Sequence, residues 1–234
     1  MHWNRDCVVV IPCFNEAMHI SRVVGEVQKH LSNVIVVDDG STDTTAAAAK
    51  SVGAKVLQLP QNSGKGAALR HGWQYAHHLG FKWILMLDGD GQHAADEIPT
   101  FLDCVKKTGA ALVVGNRMKT PNAMPFVRRC VNRWMSRWLS RLVGAELPDS
   151  QCGFRLVHLE TLLSLPLTAN RFEIESAMLV AFYAAGGIVA FVPIRTIYEF
   201  SVSKINPLTD TIRWLRWWLA QCVPLRACRT IRVP

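Results

Sequence analysis

Short apolar runs alternate with longer stretches of helical periodicity along most of the chain. The runs are continuous and rich in β-branched residues, as expected of strands that are buried on both faces of a parallel sheet. The predicted strands cover residues 8–11, 34–37, 55–59, 83–87, 111–115 and 188–194, and the predicted helices about 17–31, 44–52, 66–79, 95–107, 126–143 and 173–185. This alternation predicts an α/β fold, with a mostly parallel sheet and helices on both faces.

One uncharged stretch, residues 176–194, is long enough to be considered as a membrane-spanning helix. Gly186 and Gly187 divide it into a helical half and a β-branched half, so we expect a buried helix, a turn and a buried strand. The apolar run at residues 7–11 ends at Pro12 and is too short for a signal peptide. Seven cysteines without a CxxC pair are typical of reduced thiols in the cytoplasm. We therefore expect a single domain over residues 1–234 that stays inside the cell.

Positive charge is concentrated in two stretches of a chain whose net charge is +8. Residues 117–141 contain seven basic and no acidic side chains, and residues 201–234 contain six basic and one acidic. Both stretches are rich in tryptophan, and residues 126–143 form an amphipathic helical pattern with arginines along its flank. Two such segments, 126–143 and about 208–234, favour contact with an anionic membrane surface. The residues expected there are Arg129, Arg133, Trp134, Arg137, Trp138, Trp214, Trp217 and Trp218.

The basic segments have two other interpretations. The basic side of the 126–143 helix would be a solvated face if its apolar side packs on the core. Nucleic acid would also attract the charge, but the chain contains no nucleic-acid-binding motif and its remainder carries a net −4. We therefore predict no nucleic-acid partner.

Polar clusters follow three of the predicted strands, at residues 12–16, 38–41 and 88–92. Ligands of open α/β sheets gather at the carboxyl ends of the strands. Asp88 and Asp90 flank Gly89, so both carboxylates can point the same way and the glycine leaves room for a phosphate. One or two carboxylates plus substrate phosphates usually hold Mg²⁺, which predicts a divalent cation, Mg²⁺ or Mn²⁺, at this turn. Lys65 opens a predicted helix and suits an anion, although helix capping alone also explains its flanking glycines.

Seven motifs together resemble family 2 glycosyltransferases, and more narrowly the polyprenyl-phosphate branch that includes dolichyl-phosphate mannose synthase. They are PCFNE (12–16), VVDDGSTD (36–43), NSGKGAALRHG (62–72), LDGDGQH (87–93), VGNR (114–117), DSQCGFR (149–155) and SKINPLTDTIRW (203–214). The resemblance implies a GT-A fold and a nucleotide-sugar donor of the GDP-mannose or UDP-glucose type. The Q-x-x-R-W signature of processive synthases is missing, which favours transfer of a single sugar.

The resemblance also implies roles for individual residues. The donor-binding residues would be Pro12, Phe14, Glu16, Asp38, Asp39, Lys65, Asp88, Gly89, Asp149 and Gln151, with Asp39 at the nucleoside and the last two at the sugar. The metal would lie at Asp88, Asp90 and Gln92, most directly at Asp90. The acceptor phosphate would lie at Arg155, Ser203 and Lys204. The residues implied for catalysis are Asp90, Arg117, Arg155 and Lys204.

The nature of the acceptor decides whether a general base is needed. A polyprenyl phosphate is already ionised near neutral pH, since the second pKa of a phosphate monoester is about 6. A hydroxyl acceptor, as in cell-envelope or polysaccharide synthesis, would need a base, for which Glu173 and Glu175 are the candidates. Their alternative role is to complement the helix dipole.

We therefore expect an inverting enzyme, peripheral to the inner face of the membrane, that is attached directly or through a membrane partner subunit. A third interpretation is a non-catalytic membrane-surface or partner-binding protein that keeps the same fold.

Overall fold

The computed structural model describes residues 2–119, 124–197 and 211–221. The chain divides into two compact units, Met1–Ser201 and Val202–Pro234. The first unit contains a seven-stranded sheet with its helices. In the second unit, the structure describes one helix, α9 (211–221).

The sheet is mostly parallel, as predicted. Its strands are β1 (Cys7–Cys13), β2 (Val34–Asp38), β3 (Lys55–Gln58), β4 (Trp83–Met86), β5 (Leu112–Asn116), β6 (Arg155–His158) and β7 (Val189–Pro193). Their order across the sheet is β3-β2-β1-β4-β6-β5-β7. Six strands run in one direction, and β6 runs antiparallel between β4 and β5.

Helices connect the strands and cover the sheet. They are α1 (Trp3–Asp6), α2 (Ile20–Gln28), α3 (Thr45–Ser51), α4 (Lys65–His78), α5 (Ile98–Thr108), α6 (Phe126–Val143), α7 (Leu159–Leu163) and α8 (Ile174–Ala184), with a 3₁₀ turn at Ala95–Glu97. The predicted helices and strands are confirmed within a few residues at their ends. Strand β6 was missed because only Leu156 and Val157 form its apolar run, between a charged residue and a histidine.

The uncharged stretch forms a helix and a strand, as its paired glycines predict. Helix α8 packs most of its side chains inside the fold, the chain turns at Gly186 with φ of +71°, and β7 follows. The prediction that this strand is buried was wrong: β7 lies at the edge of the sheet, and Val192 is its one buried residue. No helix in the described part of the chain is both long and apolar enough to cross a membrane.

The core determines which end of the sheet is open for chemistry. Every residue of β2, β4 and β5 is buried, so neither face of these strands is available to a ligand. Because β1, β2, β4 and β5 are parallel, their carboxyl ends meet at the same edge, where Cys13 pairs in register with Asp38. The loops that follow these strands form the candidate site.

Candidate active site

A charge cluster at this edge joins Lys65, Asp88 and Glu175. Lys65 is the first residue of α4, Asp88 closely follows β4, and Glu175 lies in the first turn of α8. Lys65 Nζ is 2.5 Å from Asp88 Oδ1 and 2.6 Å from Glu175 Oε1. Burial by itself lowers the pKa of Lys65, but the two carboxylates outweigh that effect and raise the pKa above its usual range. The ammonium group therefore stays charged at neutral pH.

The second oxygen of Asp88 faces His93, a residue that the motif comparison had left without a role. His93 Nε2 lies 3.4 Å from Asp88 Oδ2, and the buried imidazole ring packs against Phe154 with ring centroids 5.3 Å apart. Burial raises the pKa of Asp88, but the charge of Lys65 and the hydrogen bond of His93 outweigh it and hold the pKa well below its usual range. Asp88 is thus an ionised carboxylate whose two oxygens both face protein groups.

Gly153 packs directly over the Lys65–Asp88 pair. A Cβ at this position would lie 2.8 Å from Lys65 Nζ and 2.9 Å from Asp88 Oδ2, which is closer than real Cβ atoms approach other heavy atoms. Beside the pair lies a cavity of about 10 Å³, also lined by Arg155 and Glu175. This volume is at the lower limit for a single water molecule. In the sequence, Gly153 stands out only as part of a motif, because a close approach across the fold leaves no local signal.

Asp90 is the carboxylate best suited to a metal. It is half-buried, and its Oδ1 accepts a hydrogen bond from the Gln92 N–H at 3.0 Å. Among the described residues, its Oδ2 has no hydrogen-bond partner. No three His, Cys, Asp or Glu side chains of the described chain group closely enough to hold a metal ion by themselves. One open carboxylate oxygen fits a Mg²⁺ or Mn²⁺ ion that arrives with substrate phosphates.

The other predicted metal residues have different neighbours. The Gln92 side chain is buried, and its Oε1 accepts a hydrogen bond from Arg128 of α6 at 3.3 Å. A Cβ at Gly89 would overlap Cys13 Sγ, so the glycine lets the turn pack against β1. The prediction that Gly89 leaves room for a phosphate therefore has a second explanation within the fold itself. Direct metal contact by Asp88 or Gln92 stays a prediction.

The loop after β1 is held to the loop after β2 by backbone-to-hydroxyl hydrogen bonds. The Asn15 N–H donates to Ser41 Oγ at 2.9 Å, and the Glu16 N–H donates to Thr45 Oγ1 at 2.8 Å. Asn15 has a φ of +52°, a left-handed conformation that asparagine tolerates better than most residues. These bonds fix the positions of Phe14 and Glu16, the predicted nucleotide-pocket residues on either side of Asn15.

Asp38 and Asp39 both bind backbone N–H groups. Asp39 accepts hydrogen bonds from the N–H groups of Ser63 and Gly64, each at 2.8 Å, and thereby holds the loop that leads into α4. Asp38 accepts the Ser41 N–H at 3.0 Å and is 2% exposed. Both carboxylates shape the loops of the predicted donor side, and a direct contact of Asp39 with a nucleoside stays a prediction.

Arg117 and Asp149 form a buried bidentate ion pair. Arg117 Nε lies 2.7 Å from Asp149 Oδ2 and Nη2 lies 2.9 Å from Oδ1, with side chains 5% and 0% exposed. Burial raises the pKa of Asp149, but the charge and hydrogen bonds of Arg117 outweigh it and lower the pKa. The resemblance implies a catalytic role for Arg117 and a contact of Asp149 with the sugar. In this structure they face each other, because both are buried and each is the other's charge partner.

Arg155 is also directed toward the protein. It is 1% exposed and donates hydrogen bonds to the backbone carbonyls of Cys152, Glu175 and Ser150 at 2.8, 2.6 and 3.0 Å. A guanidinium that binds phosphate needs free donors facing the ligand, so this placement does not support the predicted phosphate contact. Gln151, predicted at the sugar, donates to the Ser150 hydroxyl at 2.8 Å. The structure gives Arg155 a positioning role between β6 and α8.

Two predicted phosphate residues, Ser203 and Lys204, lie outside the described residues. Of the predicted donor side, the structure brings together Pro12, Lys65 and Asp88 around one small cavity.

The family model described as glycosyl transferase family 2 matches residues 8–161. The chain belongs to glycosyltransferase family 2. It is thus a glycosyltransferase, and the motif resemblance is confirmed.

The chain is 33% identical to a UDP-N-acetylglucosamine–dolichyl-phosphate N-acetylglucosaminyltransferase from Methanococcus voltae, over 84% of this chain and 88% of the relative. It is 30% identical to a polyprenol monophosphomannose synthase from Mycolicibacterium smegmatis, over 69% of this chain and 65% of the relative. These relatives include members of the predicted polyprenyl-phosphate branch.

The fold of this glycosyltransferase is GT-A. Glucosyl-3-phosphoglycerate synthase from Mycobacterium tuberculosis, solved with Mn²⁺, UDP-glucose and phosphoglyceric acid, matches it with a TM-score of 0.73 at 23% identity. The match covers 94% of this chain and 79% of that chain.

The predicted membrane-surface helix, α6, has the predicted bounds but a different buried face. Its buried side chains are Asn132, Met135, Ser136 and Leu139. Two of its apolar side chains lie at the surface, with Val127 68% exposed and Trp134 39% exposed, and the arginines Arg133 and Arg137 are exposed beside them. The helix therefore packs through a partly polar face and leaves an apolar-basic face at the surface, which argues against an entirely core-packed apolar side.

The other predicted surface segment lies in the second unit. Helix α9 covers 211–221, and the Trp214 ring lies 6.5 Å from that of Trp217 and 6.4 Å from that of Trp218. The remaining residues of the predicted segment, 208–210 and 222–234, lie outside the described residues.

Proposed function

We propose that this glycosyltransferase transfers one sugar, with inversion, from a nucleotide-diphosphate sugar to a polyprenyl phosphate. A donor of the GDP-mannose or UDP-glucose type is proposed from the motif resemblance. The acceptor is proposed from the relatives, since the names of those from Methanococcus voltae and Mycolicibacterium smegmatis refer to dolichyl phosphate and to a polyprenol monophosphate sugar.

The observation that carries this proposal is the state of Glu175. A hydroxyl acceptor needs a general base within hydrogen-bond reach, and Glu175 was one of two candidates. In the structure, Glu175 is 6% exposed and its Oε1 is bound to Lys65. The second candidate, Glu173, is the N-cap residue of α8, where a negative charge complements the helix dipole. An acceptor that is already an anion requires neither residue as a base.

The residues of the site support charge stabilisation rather than proton transfer. Asp90, with its open oxygen, would hold a Mg²⁺ or Mn²⁺ ion together with substrate phosphates, and the bound cation would act as a Lewis acid toward the departing diphosphate. Lys65 keeps its positive charge at the same edge of the sheet. Asp39 and Asn15 fix the loops on which the donor would rest. We propose that donor binding and stabilisation of its leaving group are the main tasks of these residues.

We also propose that the enzyme acts as a peripheral protein at the cytoplasmic face of the membrane. The exposed face of α6 combines Val127 and Trp134 with Arg133 and Arg137. Amphipathic helices with basic and aromatic side chains lie in the membrane interface in this way. A polyprenyl phosphate presents its phosphate at that interface, so attachment there would bring enzyme and acceptor together. Attachment through a membrane partner subunit is the alternative form of this proposal.

The test is donor turnover by the purified chain with Mg²⁺ or Mn²⁺. GDP- and UDP-sugars are each supplied with and without a short-chain polyprenyl phosphate, and release of the nucleotide diphosphate is recorded. We expect release that depends on both the metal and the lipid phosphate. Turnover that responds only to hydroxyl acceptors would overturn the proposed acceptor, and equal turnover in the presence of a chelator would overturn the metal.

A further inference from the structure

We infer that Glu175 is a positioning residue that acts through Lys65 on Asp88, and thereby sets the turn at Asp88–Asp90 that would receive the metal and the donor diphosphate. The inference deepens the proposed function and rests on it for the identity of that turn. It gives Glu175 a role that differs from both sequence-based interpretations, a general base or a charge that complements the helix dipole.

The geometry links α8 to the turn after β4 through one ammonium group. Lys65 Nζ binds Asp88 Oδ1 on one side and Glu175 Oε1 on the other, at 2.5 and 2.6 Å. Asp88 and Glu175 lie on distant parts of the chain, and the shared lysine makes the position of one carboxylate depend on the other. Because Glu175 is 6% exposed, it holds Lys65 from inside the fold rather than from the surface.

The positive and negative charges in this cluster are equal in number, so the loss of one carboxylate should change cation binding in a definite direction. Lys65 and Arg155 are positive, Asp88 and Glu175 are negative, and Arg155 Nη1 donates to the Glu175 backbone carbonyl at 2.6 Å. If Glu175 loses its charge, the ammonium of Lys65 is attracted by Asp88 alone. The net charge beside the turn then becomes more positive, and a cation binds there less strongly.

Only one of the two oxygens of the Glu175 carboxylate has a partner among the described residues. Its Oε2 is buried and has no hydrogen-bond partner among the described residues. Buried polar groups are normally paired, so an unpaired carboxylate oxygen beside Lys65 carries a free-energy cost. A residue needed only for packing would not require this charge, whereas a residue that restrains the ammonium does.

Gly153 provides a second way to disturb the same cluster without removing a charge. A methyl group at this position would meet Lys65 Nζ at 2.8 Å and Asp88 Oδ2 at 2.9 Å. The backbone of Gly153 is not in the left-handed region, so alanine adds no conformational strain of that kind. Gly153→Ala should therefore shift Lys65 Nζ, the Asp88 carboxylate or both from their present positions and leave Glu175 intact.

The test measures binding of Mn²⁺ with UDP, and separately with GDP, to the full chain by electron paramagnetic resonance titration. We compare Glu175→Gln and Gly153→Ala with the unmodified chain and with Glu160→Gln, the same substitution at an exposed residue of α7. Changes to groups that orient a metal ligand typically weaken metal binding about 10- to 100-fold, so we expect about a 10-fold loss for both site variants. The Glu160→Gln control should stay within about twofold, as is usual for surface changes.

Each result has a defined meaning. Unchanged Mn²⁺–nucleotide affinity in both site variants overturns the inference. A Glu175→Gln variant that binds Mn²⁺ and nucleotide normally but turns over slowly also overturns it, since that result identifies a base. If thermal unfolding shows that Glu175→Gln does not fold, the result for Gly153→Ala decides. Because the titration contains no acceptor, a failure of lipid-dependent turnover contradicts the proposed function and leaves this inference standing; absence of Mn²⁺–nucleotide binding by the unmodified chain overturns both.

Discussion

The pairs Arg117–Asp149 and Lys65–Asp88 lie at the same edge of the sheet but differ in how completely they are enclosed. Arg117 and Asp149 are 5% and 0% exposed, and both oxygens of Asp149 accept hydrogen bonds from Arg117. Lys65 and Asp88 are 13% and 30% exposed, and a small cavity lies beside them. Next to Asp88, Asp90 keeps an oxygen without a partner among the described residues.

The difference separates residues that hold the site from residues that are open to a ligand. A charge whose hydrogen bonds are all satisfied within the protein has little left to offer a substrate, whereas a partly exposed charge with an open oxygen can bind one. The motif resemblance implies a direct role at the substrate for all three residues: catalysis for Arg117, the sugar for Asp149 and the metal for Asp90. The enclosure of Arg117 and Asp149 makes them part of the framework, whereas the open oxygen of Asp90 is consistent with its predicted role as a metal ligand.

The largest effect is expected when the enclosed pair is broken. Asp149→Ala leaves the Arg117 guanidinium buried without its partner, which typically costs about 3–5 kcal/mol in the free energy of unfolding. Denaturant unfolding of the purified chain measures this. Asp103→Ala, which removes an exposed pair with Lys106 on α5, should cost less than about 1 kcal/mol. Equal losses in the two variants would contradict the view that the Arg117–Asp149 pair holds the fold.

Asp90→Asn should have the opposite effect to Asp149→Ala: a large loss of activity with little change in stability. Asparagine keeps the oxygen that accepts the Gln92 N–H but removes the charge at the open position, so stability should change by no more than about 0.5 kcal/mol. Metal-dependent donor turnover should fall by about 100-fold or more, as when a preorganised charge-stabilising group is lost. The measurement combines thermal unfolding with nucleotide diphosphate release, and Asp103→Asn is the control. Retained metal-dependent turnover would show that Asp90 does not hold the metal.

A smaller effect is expected at the surface of α6. Each basic side chain near an anionic leaflet contributes roughly 1 kcal/mol, so Arg133→Gln combined with Arg137→Gln should weaken binding to phosphatidylglycerol vesicles by about 30-fold. Co-sedimentation measures the change. Two exposed lysines elsewhere on the surface, Lys82 and Lys107, provide a matched double control that should bind as the unmodified chain does. Equal weakening by both double variants would indicate a diffuse attraction rather than a docking face.

The smallest effect is the change in the free energy of unfolding when the pH is lowered from 7 to 5. The charges of Arg117 and Lys65 hold the folded-state pKa values of Asp149 and Asp88 below the ordinary aspartate value of 3.8. The stability that these carboxylates contribute is therefore present above that value and is lost as pH falls through the folded-state pKa. The free energy of unfolding should therefore stay level from pH 7 to 5 and decline only below about pH 3.8. Denaturant titrations at each pH test this, and Asp149→Asn should show a weaker decline in acid. If this contribution to stability were already lost at pH 5, the two carboxylates would not be paired as the structure shows.

Much of the fold could be predicted from local pattern, and the exceptions have physical causes. Helix α6 was predicted at its observed bounds because amphipathic spacing over 18 residues is a strong local signal. Strand β6 was not predicted, since a strand of four residues with two apolar positions resembles a loop until its neighbours β4 and β5 pair with it. The buried face of α6, with Asn132 and Ser136, also depends on what lies opposite: Ser136 Oγ is 3.0 Å from the Ser150 hydroxyl.

The candidate site was also predictable only in part. The sequence alone identified the family, the strand-end carboxylates and Lys65, because motif order and residue type are properties of the chain. It could not assign His93, Gly153 or the partner of Arg117, because those contacts join residues far apart in sequence.

By itself, the sequence thus determined the α/β fold, the family and the residue types gathered at one edge of the sheet. Only the tertiary structure decided which of those charges are satisfied by the protein and which remain open. The physical reason is that periodicity and turn chemistry act over a few residues, whereas burial and ion pairing depend on neighbours that folding alone brings together. Lys65 illustrates both contributions. The sequence fixes its charge, and the fold brings it together with its two partners, Asp88 and Glu175.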